Sequence, residues 1–483
     1  MKSWVVVFAV LLLLAFGKAQ TAEVQPGDSS TEIRPNVLRK SGPQQDMGSL
    51  QPCYSYARYD SAGLDSFIRA TMVFWHIPGV ATWCSKNGQV IWQRCFGYAR
   101  LHDADSIPVA DTTLFMLASI SKTIVATAAM QVWERGEFNL DDDINNYLPF
   151  SVRNPNYPDS IITFRMLMTH TSSIRDNWTV LDSLYVWGGD SPIALGYFLQ
   201  SYFVPGGVYY DSAANFYNWS PGHVWEYNSV AVALLGYLVE TIEDSFPIHC
   251  QDSIFNPLSM HETSWFLAGL DTNHIAVPYH WAGSFYQPYQ HYGYPDYPDG
   301  QLRTSSLQLA RHLTAIMHYG VADSVRILDS ATVTLMRTIQ YQVAPYLMMG
   351  LIWAYWNTGT RWIWYHDGAD YGVSTVNAFC PAESSAVIVL TNGESWYGTS
   401  SIMNAIFDYA LQYGIEEQTI IRPRMQYGMS MSTIFRGPLR LPEGRSCRVF
   451  DIAGRVVMPD KMKPGIYFVE IDGKITRKVV KVR

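Results

Sequence analysis

Residues 115–149, FMLASISKTIVATAAMQVWERGEFNLDDDINNYLP, decide how this chain is read. Ser119 and Lys122 stand three residues apart at the mouth of an apolar helical pattern over 119–135, which stops at Gly136, a C-cap candidate. Side chains at that spacing lie one turn apart on one helix face. An amine held there against a hydroxyl makes a weak nucleophile reactive. The unpaired N–H groups of a helix start can also face a developing oxyanion. Ser-x-x-Lys is short enough to arise by chance, so the rest of the chain has to supply its company.

Upstream, LDSFIRATMVFWHIPG from Leu64 has helical spacing closed by Pro78-Gly79. GVATWCSKNGQVIWQRCFGYA then reads as two strands around an Asn87-Gly88 turn, the first edge of an antiparallel sheet. With a two-residue turn, Cys84 faces Ile91 and Cys95 faces Val80. The thiols are then roughly 13 Å apart and do not bridge. The six cysteines (53, 84, 95, 250, 380, 447) match neither a disulfide scaffold nor a zinc spacing.

Downstream, Ile161–Met168 leads into the polar turn Thr169-His170-Thr171-Ser172, where His170 reads as a structural residue. Residues 176–219 are loop-rich and aromatic, helices follow over 229–243 and 305–319, and 284–299 is a Tyr/Pro-rich segment with the look of an ordered functional loop. Strand patterns over 353–364 and 372–391 flank a His366-Asp367-Gly368 turn, and a helix over 402–413 closes the unit. Strands come first and last with helices between, so the fold class is α+β, its sheet joining distant parts of the chain.

Composition bounds the function. At 483 residues with 48% hydrophobic and 16% charged content, the chain is a globular protein with a large core. A net charge of −8 argues against a nucleic-acid partner. Residues 1–19 carry Lys2, an apolar run from Trp4 to Phe16 and a small-residue cleavage context, which is the pattern of a signal peptide rather than a membrane anchor. No membrane span is expected in the mature chain. Residues 20–60 are a polar leader and 416–438 a mixed linker. From 439 to 483 the chain turns basic, with eleven Lys/Arg against five Asp/Glu, and short strand patterns suggest a small all-β module. His261-Glu262 lacks the second histidine of a zinc peptidase, with Trp265 in that place, and neither metal nor cofactor is expected.

Over most of residues 62–415 the chain resembles the serine β-lactamase-like hydrolases, especially the branch of class C β-lactamases, D-alanyl-D-alanine peptidases and related esterases. The marks appear in family order. They include His76-Ile-Pro-Gly79, Ser119-Ile-Ser-Lys-Thr123, Leu140-Asp-Asp142, Leu167-Met-Thr-His-Thr-Ser172, Pro221-Gly222 before Tyr227, Phe255-Asn-Pro-Leu258 and His366-Asp-Gly368. The resemblance implies a central antiparallel sheet flanked by helices, plus a mainly helical lobe. It makes Ser119 the nucleophile, Lys122 its proton acceptor or electrostatic partner, and Tyr227 a proton shuttle that would need a nearby cation to ionise. Where the family has Tyr-x-Asn, this chain reads Tyr227-Asn228-Ser229, and serine reaches less far than asparagine toward an amide. His366 and Gly368 would line the other wall, His366 holding a substrate carboxylate or tuning Tyr227. The N–H of Ala369 would complete an oxyanion hole with that of Ser119.

The last 45 or so residues resemble the C-terminal sorting domains of type IX secretion substrates, through Val449-Phe-Asp-Ile-Ala-Gly-Arg455 and Pro464-Gly-Ile-Tyr-Phe-Val469. A module for adhesion is the alternative. The expectation is an exported serine hydrolase acting through an acyl-enzyme on a D-amino-acid peptide, β-lactam or ester, with the secretion machinery as a partner of 439–483. A carboxylesterase, or an inactive cell-wall-binding homologue, stays open beside it.

Overall fold

The computed structural model describes residues 59–102, 105–420, 434–435 and most of 439–481. The expected signal peptide, the leader to residue 58 with Cys53, and most of the 416–438 linker lie outside the described residues. The chain divides into two compact units, the first ending at Ala410 and the second beginning at Leu411.

Asp60 opens helix α1 (Ser61–Phe74) by accepting from Gly63 N at 2.7 Å. Leu64, Ile68 and Met72, four residues apart, put one face of α1 into the core. Strands β1 (Gly79–Lys86) and β2 (Gln89–Arg100) follow, joined by Asn87 and Gly88, both at positive φ as an Asn-Gly hairpin turn requires. The register is one residue off the expected one. A bulge between Cys84 and Ser85 sets Cys84 opposite Trp92, while Cys95 faces Ala81. Both are free thiols, as are Cys250 and Cys380.

Among the described residues the main sheet has nine strands. With β3 (Ile107–Pro108), β4 (Tyr341–Ala344), β5 (Leu347–Met349), β6 (Ala354–Asn357), β7 (Trp362–Asp370), β8 (Val373–Cys380) and β9 (Ser385–Thr391), the spatial order is β4-β5-β6-β7-β8-β9-β1-β2-β3. The hairpin thus lies near one edge with β3 outside it, and β1 pairs antiparallel with β9 across some three hundred residues of sequence. Alternation along β1 decides which face each residue serves. Val80 and Cys84 pack with α1 and with Ile402, Met403 and Phe407 of α5 (Trp396–Ile420), whereas Ala81 and Trp83 join the larger core on the opposite face.

That larger core holds α2 (Ser121–Glu134), α3 (Val230–Glu243) and α4 (Ser306–Met317). Every residue of α2 from Ser121 to Val132 is buried. Its polar members are satisfied locally or across the core: Thr127 meets His312 at 2.9 Å, and Gln131 donates to the carbonyls of Ser253 and Ile327. Gly136 at φ 77 ends the helix as expected. The 176–219 region contains two helices, Trp178–Ser183 and Leu195–Phe203, and 284–299 forms short strands with 292–300 buried. Its tyrosines serve the core as well as the surface.

Two sequence expectations are corrected on β7. His366-Asp367-Gly368 is not a turn between strands but lies within the strand, and the turn comes later, where Gly372 has φ 67. In the second unit, Cys447–Asp451, Gly465–Ile471 and Lys474–Lys481 form antiparallel pairs, with Ile434–Phe435 parallel to the last of them. Among the described residues no helix is long and apolar enough to cross a membrane.

Candidate active site

Ser119 sits in a 3-10 turn, Ala118–Ile120, that runs directly into α2, and Ala118 holds a left-handed φ of 48°. A non-glycine residue there is strained backbone, the kind that surrounding structure must hold in place. It is held from two sides. Leu117 N donates to Leu302 O at 2.8 Å, and Thr375 Oγ1 of β8 donates to Leu117 O at 2.6 Å.

Lys122 follows one turn on and is fully buried, not at a site mouth. Its Nζ donates to Ser119 Oγ at 3.0 Å and to the backbone carbonyl of Asp299 at 2.6 Å. The second contact fixes the amine, because a buried lysine needs acceptors to offset desolvation. Asp299 belongs to a turn (Tyr297–Asp299) some 180 residues away that nothing near Ser119 in the sequence announces. Burial and the neighbouring Asp299 carboxyl hold Asp296 well above the ordinary carboxylate range.

Tyr227 faces this pair. Lys122 Nζ stands 5.3 Å from the centre of its ring, and the ring of His170 is 4.5 Å away. The Tyr227 hydroxyl is buried without a hydrogen bond of full geometry. Burial raises its pKa well above 10, and the nearby Ser119 hydroxyl opposes that rise without reversing it. Tyr227 is therefore a neutral phenol in the unliganded site, with Lys122 as the nearby cation that its ionisation was expected to need. His170 is structural, as expected: at φ 56° its Nδ1 accepts from Asn228 N at 3.3 Å.

Asn228 is spent on the fold, its side chain donating to Ile174 O and accepting from Ala231 N. Ser229 lies at the N-cap of α3, and its side chain makes no capping bond. The cap comes from Asp176, whose carboxylate accepts from Ser229 N at 2.9 Å and Val230 N at 3.0 Å. Burial pushes the pKa of Asp176 up to about 6, against the pull of those two amides. Asp176 was not singled out from the sequence; an acid fifty residues ahead of a helix carries no local signal for capping it.

The opposite wall is β7. It pairs with β6 only as far as Tyr365, so its outer edge from His366 onward is left to the Ser119 turn. Gly368 lets the two meet. A Cβ there would overlap the Leu117 carbonyl oxygen, reach Thr375 Oγ1 at 2.5 Å and stand 3.0 Å from Ser119 N. Ala369, the expected oxyanion partner, is exposed on the next position of the strand. His366 is buried and its Nδ1 meets Asp367 O at 2.7 Å. A carbonyl only accepts, so Nδ1 carries the hydrogen and Nε2 is the free acceptor. Burial, reinforced by Lys122, lowers its pKa to about 3, so the ring is neutral in the unliganded site. Its ring lies 6.3 Å from that of Tyr227. Asp367 accepts from Trp396 Nε1 at 2.7 Å, fixing the strand from behind.

A serine on a strained turn with a buried lysine one turn later, beneath an antiparallel sheet flanked by helices, is the β-lactamase/transpeptidase-like fold. The chain belongs to the Beta-lactamase family, whose model matches residues 64–405. Among curated proteins it is 26% identical over 223 residues to Protein flp of Staphylococcus aureus (strain MRSA252), covering 46% of this chain and 41% of that protein. It is 28% identical over 224 residues to Esterase EstB of Burkholderia gladioli, covering 46% of this chain and 55% of the esterase. The chain thus spans about half the length of these curated relatives. The penicillin-binding protein homologue of Pyrococcus abyssi matches the fold with a TM-score of 0.58 at 20% identity, over 85% of this chain and 87% of that one.

Proposed function

We propose that this chain is a serine hydrolase that transfers an acyl group to water through an ester on Ser119. The observation that carries this reading is the 3.0 Å contact between Ser119 Oγ and a fully buried Lys122 amine. With the amine unprotonated, Lys122 takes the Ser119 proton as Oγ attacks the substrate carbonyl. The carbonyl oxygen then faces the Ser119 and Ala369 amides across the gap that Gly368 keeps open. As the tetrahedral intermediate collapses, the neutral Tyr227 hydroxyl gives its proton to the leaving group and is recharged through Lys122. Water repeats the sequence on the acyl-enzyme and releases the acid.

Among the substrates open to such a site, small esters fit better than peptides ending in a free carboxylate. His366 is neutral, and Ser229 takes the place of the asparagine expected to read an amide. The relative named as an esterase agrees with that choice. A fluorophosphonate probe tests the reading: it should label wild-type chain and leave Ser119→Ala blank. Turnover of p-nitrophenyl acetate without turnover of nitrocefin selects the esterase, and a chain blank to the probe is a binding homologue. Export through residues 1–19 and sorting through 439–483 belong to the same proposal. Fractionation of cells expressing chains with and without residues 439–483 tests both.

A further inference from the structure

Beyond Ala369 the strand runs into a wall of aromatic rings that the reaction above does not use. The ring of Tyr371 lies 5.3 Å from that of Tyr185, 5.5 Å from Trp187 and 5.6 Å from Tyr289, and Trp187 stacks on Tyr289 at 5.7 Å. These rings are partly open to solvent, Trp187 to 43%. The hydroxyls beneath them are turned inward. Tyr185 donates to Asp370 at 3.2 Å, Tyr294 to the same carboxyl at 3.4 Å, and Tyr292 to the Tyr371 carbonyl at 2.8 Å. Asp370 is buried and also accepts from Tyr371 N at 2.6 Å. Tyr185, Tyr292 and Tyr294 thus anchor the wall from beneath, and Trp187, Tyr289 and Tyr371 present part of their ring surface to solvent on that fixed base.

Its place along β7 says which part of a substrate would meet it. His366, with Tyr227 beside it, lies two residues before Gly368, and the proton that frees the leaving group comes from there. Tyr371 lies three residues after Gly368, in the turn just past Asp370 at the end of β7, so it stands at the far end of the strand from His366. The leaving group and the aromatic wall therefore flank Ser119 on opposite sides, which puts the wall on the acyl side. We propose that Trp187, Tyr289 and Tyr371 form a subsite for an aromatic or bulky apolar group on the acyl portion of the substrate. The inference rests on the ester-hydrolase reading above and names the class of acyl group that Ser119 accepts.

The test compares kcat/KM for p-nitrophenyl phenylacetate and p-nitrophenyl acetate on the full chain. The ratio cancels changes in the amount of active protein, which fluorophosphonate titration reports separately. Wild-type chain should favour phenylacetate, and Trp187→Ala should lower that preference roughly tenfold, the scale of a lost aromatic contact. Tyr371→Leu should act in the same direction, and Val208→Ala, an exposed control elsewhere, should leave the ratio alone. An equal ratio in wild type and Trp187→Ala overturns the subsite while leaving the hydrolase standing. A chain that neither labels nor turns over overturns the hydrolase reading and the subsite with it. Calorimetry with phenylacetate on Ser119→Ala reads the subsite without turnover: saturable binding weakened by Trp187→Ala is expected, and no binding refutes it.

Discussion

Gly368→Ala isolates the clamp between β7 and the Ser119 turn. The added methyl overlaps the Leu117 carbonyl and sits 2.5 Å from Thr375 Oγ1. Ordinary contact distance is about 3.5 Å, so the turn and strand must separate by about 1 Å. That breaks the 2.6 Å bond from Thr375 to Leu117, which contributes about 1 kcal/mol, and adds about 1–3 kcal/mol of overpacking. The sum is about 2–4 kcal/mol, or roughly 3–6 °C of melting temperature for a domain of this size. The catalytic cost is separate. A misplacement of about 1 Å between nucleophile and oxyanion donors lowers kcat/KM by about a hundredfold. Scanning calorimetry and the rate of fluorophosphonate labelling read the two effects independently. Labelling at the wild-type rate by a stably folded Gly368→Ala chain would show that β7 does not form the wall facing the nucleophile.

Lys122→Met keeps the buried stem but removes the amine, so labelling of Ser119 should fall by about a thousandfold or more while far-ultraviolet circular dichroism stays native; Lys122→Ala should also lose stability, because it empties a buried site and orphans the Asp299 carbonyl. Asp176 supplies a pH dependence. Its native pKa of about 6 lies above the unfolded 3.8, so the native state binds the proton more tightly; its contribution to stability is full below about pH 4 and is lost as pH rises to about 6. Over the same interval the carboxylate forms and caps α3 at Ser229 and Val230, two residues beyond Tyr227, so kcat/KM should show an acid limb near pH 6. Urea melts and pH–rate profiles of Asp176→Asn should lack both features. Ser229→Asn should raise turnover of an anilide relative to the matching ester, and an unchanged ratio would show that position 229 does not read the substrate.

What local chemistry could announce was legible in the sequence. Asn87 and Gly88 turn the hairpin with both residues at positive φ, and Ser119 and Lys122 meet across one turn as their spacing requires. What depends on distant partners was not. The Cys84–Ser85 bulge shifts the hairpin by a residue because β1 is packed on both faces and paired on both sides, constraints that no reading of the hairpin alone contains. His366-Asp367-Gly368 has the composition of a turn, yet its glycine serves close approach to Leu117, and the strand continues through it. The burial of Lys122 is not legible from its own segment; its second acceptor is the Asp299 carbonyl, brought by a turn far along the chain. The same distance hides Asp176 and the neutrality of His366 and Tyr227, which burial imposes.

The pairing of β1 with β9 also orders the making of the protein. When residues 79–100 leave the ribosome they can close as a hairpin, but the inner edge of β1 has no partner until residue 391 has been made. An unpaired, largely apolar strand edge is a template for wrong association. Ser119 and Lys122 are likewise made long before Gly368 arrives to face them. On the proposed reading, the nucleophile thus spends most of synthesis without its second wall, and reactivity is acquired near the end of this unit's synthesis, together with closure of the sheet.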